Sequence, residues 1–146
     1  MPRLLLLLTG GTLMMKPGGP TGAAVTLDDF RESVSCAPHD LDEERASRDL
    51  VSEVPSLARI ASFDTRLLFH MDSANMQPAD WVTLAREVHG ALGDPRYDGI
   101  VVVHGTDTMA YTASALALIL GGLPKPVVLT GAQRPLAEAR TDARVF

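Results

Sequence analysis

Residues 3–12 read RLLLLLTGGT: one basic residue, five leucines, a hydroxyl, two glycines and a second hydroxyl. A strand with one face in water alternates apolar and polar positions, whereas an unbroken apolar run suits a strand covered on both faces, as in a parallel sheet between helical layers. The run is too short for a secretory signal, whose core needs about 7 to 15 apolar residues and a small-residue cleavage site. Gly10 and Gly11 break it after five leucines and leave Thr12 just past the strand end.

The pattern recurs in RLLFHM at 66–71, GIVVVHG at 99–105 and PVVLTGA at 126–132, each a strand candidate. Helical patterns alternate with them. TLDDFRESVS at 26–35 has Thr26 as an N-cap and acidic residues in its first turn, and PADWVTLAREVHGAL at 78–92 opens on Pro78, where a first turn tolerates proline. MAYTASALALIL at 109–120 is closed by Gly121 and Gly122. The alternation predicts an α/β domain, a Rossmann-like or flavodoxin-like three-layer sandwich with a mostly parallel sheet.

A chain of 146 residues, 46% of them apolar, can bury the core of one ordinary domain. Its formal charge of −5, with 13 basic and 18 acidic residues and no basic cluster, offers a nucleic-acid backbone no electrostatic footprint. No membrane span is expected either, and a small molecule or a protein is the partner to look for. Cys36 is the single cysteine, so neither an internal disulfide nor a zinc or paired-thiol spacing is available, which suits a reducing compartment.

Ligands of open parallel sheets bind beyond the carboxyl ends of the strands. Those ends carry TGGT at 9–12, DSANM at 72–76, HGTDT at 104–108 and TGAQRP at 130–135. Each motif alone has a plain reading: a tight turn for TGGT, a turn residue for Ser73, and a helix N-cap for Thr106, Asp107 or Thr108. Four of them at equivalent strand ends describe a site. A threonine hydroxyl becomes a nucleophile when a base removes its proton, and neighbouring glycines let a carbonyl come close to the backbone. A carboxylate such as Asp107 can hold a substrate amine or orient a basic side chain. His104, Met71, Met76 and Trp81 are read as packing or strand-end groups, and Tyr111 as a structural residue.

TGGT, DSANM followed by Trp81, HGTDTMAYTASALAL and VVLTGAQRPLAEARTDAR together resemble the N-terminal domain of bacterial L-asparaginases, in particular the cytoplasmic type I branch. The resemblance covers residues 1–146. It implies hydrolysis of the side-chain amide of L-asparagine to L-aspartate and ammonia through an acyl-threonine intermediate, without metal or cofactor, by a cytoplasmic homo-oligomer with no nucleic-acid or membrane partner. By resemblance Thr12 is the nucleophile, with Thr106 and Asp107 the other catalytic residues. Gly11, Asp72, Ser73, Ala74, Thr106, Asp107 and Ala132 then bind substrate.

The sequence departs from the family in three places. The stretch LMMKPGGPTGAAVTL at 13–27 lacks the tyrosine the family carries in this loop, and Ala143 stands where a glycine is usual. The only lysines, Lys16 and Lys125, do not fall where the resemblance puts the catalytic lysine. With the sequence stopping at Phe146, the expectation is an N-terminal domain truncated at its C-terminal end, without the family's smaller C-terminal domain and incomplete as an isolated enzyme. Two alternatives stand beside hydrolysis: a non-catalytic asparaginase-like binding module, and the asparaginase-like component of a tRNA-dependent amidotransferase.

Overall fold

The leucine run forms the middle of the sheet. In a computed structural model that describes residues 1–11, 54, 56–134 and 142, strand β1 spans Arg3–Gly10. It pairs in parallel with β2 (Ser62–Met71) on one edge and β3 (Gly99–Val103) on the other. Strand β4 (Val127–Thr130) pairs in parallel with the outer edge of β3, giving the order β2-β1-β3-β4. The helix expected at 26–35 and Thr12 lie outside the described residues.

Successive leucines point to opposite faces. Leu5 and Leu7 join Ile100 and Val102 on one face, under Leu84, Ala85, Val88, Ala91 and Leu92 of helix α1 (Pro78–Gly93) and Leu116 of helix α2 (Met109–Leu120). Leu6 and Leu8 join Val103 and Ala132 on the other face, where Val54, Phe63, Leu67 and Val101 pack against them. All four leucines are at most 3% exposed, which is why no polar residue interrupts the run. The crossovers β2-α1-β3 and β3-α2-β4 advance in one direction along the sheet, so right-handed connection puts both helices on the same face.

Local chemistry sets the helix ends. Pro78 opens α1, and the Asp80 carboxylate accepts from the Gln77 backbone N–H at 2.8 Å. Gly121, with φ of 62°, terminates α2 as expected. The strand ends depart from the sequence-based spans. β2 starts at Ser62, four residues before the apolar run, because an edge strand tolerates charges that find partners. Asp64 pairs with Arg3, and Arg66 with Glu87 at 2.6 Å. β3 and β4 stop at Val103 and Thr130, short of the predicted 105 and 132, since the backbone there turns into the loops of the site.

At the amino ends of the strands, the Arg3 N–H donates to Asp98 at 2.7 Å and its guanidinium donates to both oxygens of Asp64 at 3.0 and 2.8 Å. The Arg3 hydrogen bonds, followed by one from Tyr97, hold the Asp64 carboxyl below its usual 3.8. A carboxyl lowered on folding contributes stability above its unfolded value and loses it as pH falls through the folded one. The gap in denaturation midpoint between wild type and Asp64→Asn should therefore be larger at pH 7 than at pH 3; an equal gap would show that the charge is immaterial. For the core, Leu7 is fully buried, and Leu7→Ala should cost about 2 to 5 kcal/mol in urea unfolding. A loss below about 1 kcal/mol would contradict its central position.

Candidate active site

The chain passes from β1 to β2 on one side and returns through α1 to β3 on the other. The carboxyl ends of β1 and β3 therefore flank a topological switch point, where an open parallel sheet forms its ligand crevice. Gly10 and Gly11 end β1 with φ of 106° and 87°, a left-handed backbone that side chains disfavour. A Cβ on Gly11 would stand 2.6 Å from the Gly105 Cα, so the segments leaving β1 and β3 touch backbone to backbone. Thr12 is the next residue along.

From β2, the chain enters a single 3-10 turn, Ser73–Asn75, with Asp72 at its N-cap accepting from the Ala74 N–H at 2.9 Å. Ser73 is buried, and a Cβ on Gly105 would lie 2.5 Å from its Oγ. The end of β2 thus reaches past β1 to the end of β3. Thr108 fixes this approach. It occupies the N-cap position of α2 but makes no cap hydrogen bond; its hydroxyl donates instead to the Ser73 carbonyl at 2.8 Å. From the other side, Gly131 of the β4 end lies against the His104 carbonyl, with the Thr106 Cγ2 3.3 Å from where its Cβ would be. Ala132 beside it is 2% exposed.

Of the residues singled out in the sequence, Gly11, Asp72, Ser73, Ala74, Thr106, Asp107 and Ala132 all lie at the carboxyl ends of the four strands. Linked contacts run from Gly11 through Gly105 to Ser73, and from Gly131 to Thr106. Ala74 and Asp107 are exposed, and Thr106 is half-buried. Trp81 is half-buried rather than fully buried, and Tyr111 is 67% exposed. Met76 is buried, as expected of a packing group. Lys125 is at the opposite end of the sheet, where its Nζ donates to the Asp94 carbonyl at 2.6 Å. Among the described residues no three His, Cys, Asp or Glu side chains gather as a metal group, and no helix is long and apolar enough to cross a membrane.

Sequence reading overlooked two residues that brace the site. Thr9, the first hydroxyl of TGGT, is 2% exposed and donates to the Val103 carbonyl at 3.0 Å, tying β1 to β3 one residue before the glycines. Asp142 accepts from the backbone N–H groups of Gln133 and Arg134 at 2.9 and 3.1 Å. The Gln133 bond is the chief cause of its lowered pKa. The position of Asp142 in TDAR was a clue that spacing alone could not decode.

The fold is a parallel α/β sheet with hydroxyls, glycines and a carboxylate gathered at the carboxyl ends of its strands. A family model described as Asparaginase, N-terminal matches residues 3–145, and the chain belongs to that family. A glutamyl-tRNA(Gln) amidotransferase component from Archaeoglobus fulgidus is 36% identical over 143 residues, 98% of this chain and 29% of the relative. The L-asparaginase 1 of Escherichia coli K12 is 53% identical over 75 residues, 51% of this chain and 22% of the relative. Among solved structures, the probable cytoplasmic L-asparaginase from Campylobacter jejuni superposes with a TM-score of 0.73 at 28% identity, over 99% of this chain and 37% of the other. The chain spans less than a third of the length of these curated relatives.

The Gly105 contact yields a direct test of the junction. A methyl at Gly105 would meet Ser73, whereas nothing lies within 4 Å of one at Gly90, on the exposed side of α1. Gly105→Ala should destabilise by about 1 to 3 kcal/mol, and Gly90→Ala should stabilise by about 0.5 to 1 kcal/mol. Equal midpoints for the two variants would mean that the strand ends are not in contact.

Proposed function

We propose that the protein is an amidohydrolase that hydrolyses L-asparagine to L-aspartate and ammonia, with Thr12 as nucleophile. The Thr12 oxygen attacks the side-chain amide carbon as its proton passes to a base. The C–N bond breaks, ammonia leaves with a proton, and water then cleaves the threonine ester to release aspartate. Thr106 assists proton movement, and Asp107 holds the substrate's α-ammonium and supports the base. Ser73 binds the α-carboxylate, with Gly11, Asp72, Ala74 and Ala132 completing the contact surface. Lys125 does not serve as the base, being committed at the far end of the sheet.

The observation that carries this reading is the apposition of Gly11 and Gly105, which brings the residue preceding Thr12 against the turn that leads into Thr106 and Asp107. Membership of the asparaginase family supports it independently. A cytoplasmic location is supported by the lone Cys36 and by the Campylobacter jejuni likeness. A homo-oligomer is supported by α2, which carries no charged residue and exposes Tyr111, Leu118 and Ile119.

A second reading has its own support. The Archaeoglobus fulgidus amidotransferase relative aligns with 98% of this chain, against 51% for the Escherichia coli enzyme. In that reading the amide is cleaved by the same residues and the ammonia passes to a partner protein. Ammonia release by the full-length protein alone decides between the two. Brisk turnover of free asparagine supports the hydrolase, and turnover only with an added amidotransferase partner and charged tRNA supports the second reading. In either assay Thr12→Ala should lower kcat at least ~10³-fold. Asp107→Asn should raise KM about 10- to 150-fold, the value of a hydrogen bond to a charged group. Parental rates in Thr12→Ala would remove Thr12 from the chemistry.

A further inference from the structure

His104 sits directly beneath the proposed site and is 1% exposed, so every polar atom on its ring must be accounted for. Its Nδ1 is 2.7 Å from the Gly105 carbonyl oxygen. A carbonyl only accepts, so Nδ1 carries a proton; the opposite tautomer would set two lone pairs against each other at that distance. The Nε2 is 2.9 Å from Thr112 Oγ1 and 3.3 Å from Met76 Sδ. Trp81 Nε1, which can only donate, reaches Thr112 Oγ1 at 3.0 Å. The single hydroxyl proton of Thr112 has two acceptors in reach, Nε2 at 2.9 Å and the Met76 sulfur at 3.4 Å, and the nitrogen is both nearer and stronger.

With a neutral ring, one arrangement satisfies all four groups. Trp81 N–H donates to the Thr112 oxygen, Thr112 O–H to His104 Nε2, and His104 Nδ1–H to the Gly105 carbonyl. We infer that His104 is a positioning residue for the reaction: held as the neutral Nδ1–H tautomer by Trp81 and Thr112, it fixes the peptide plane between Gly105 and Thr106 and so the aim of the Thr106–Asp107 turn. Burial lowers the basicity of the ring, which agrees with a neutral imidazole. The chain of bonds anchors the turn to α1 and α2 together, since Trp81 belongs to one helix and Thr112 to the other. His104 touches no substrate in this scheme and transfers no proton. The kinetic part of the inference rests on the amidohydrolase reading.

The sequence has four histidines, so 15N-histidine NMR of the protein can resolve this ring, assigned by the peaks missing from His104→Asn. The expected result is a protonated Nδ1 and an unprotonated Nε2, unchanged between pH 5.5 and 8. A protonated Nε2 overturns the relay. In asparagine hydrolysis His104→Leu should lower kcat/KM by about 10²-fold, the scale of a misplacement near 1 Å. His104→Asn can still donate to the Gly105 carbonyl and should recover most of that loss. Thr112→Val should lower kcat/KM in the same direction, and Thr112→Ser should restore it. Asn no better than Leu, at matched thermal stability, overturns the positioning role. Should the wild-type protein release no ammonia from asparagine, the hydrolase reading fails while the tautomer measurement still decides the relay.

Discussion

Strand β1 must be covered on both faces and paired on both edges at once. Once Leu5 to Leu8 are buried, two neighbouring strands and two apolar surfaces become obligatory, and β2 and β3 supply the edges. Because β2 follows β1 in sequence and β3 lies on its other side, this demand also creates the reversal of strand order. The switch point is therefore a consequence of the same burial that stabilises the sheet.

What the strand ends require beyond this is closeness. Gly11, Gly105 and Gly131 permit backbone contacts that a single methyl would prevent, and hydroxyls then lock the approach. Thr9 ties β1 to β3, Thr108 ties the start of α2 to the turn after β2, and Thr112 closes the bonds around His104. Among the described residues, the threonines of these motifs divide into two groups. Thr9, Thr108 and Thr112 are bonded to the protein itself, whereas the half-buried Thr106 is placed at the mouth of the turn.

The fold was legible wherever a local rule operates. The leucine run signalled a doubly covered strand, Pro78 a helix start and Gly121 a helix stop, and each lies where it was read. The early start of β2 was not legible, because Asp64 and Arg66 look unlike strand residues until their partners Arg3 and Glu87 are brought alongside by the tertiary fold. The gathering of the motifs at the strand ends was legible in their spacing, and the family in their pattern. The tasks of Thr9, Thr112 and Asp142 were not, since each depends on an acceptor or donor that only folding supplies. Thr12 lies outside the described residues, so its place rests on sequence.

Five identical side chains in a row also carry no information about alignment. Sliding β1 by two residues along its neighbours would keep each face apolar and set leucine on the site of leucine at most positions. The two ends break this degeneracy like the end marks of a vernier scale. At one end Arg3 meets Asp64 and Asp98; at the other Gly11 faces Gly105, where a slide of two would bring a residue with a side chain. The leucines supply the grip and the ends supply the address. The placement of Gly11 is thus set in part by a guanidinium eight residues back, roughly 26 Å away at the rise of an extended strand.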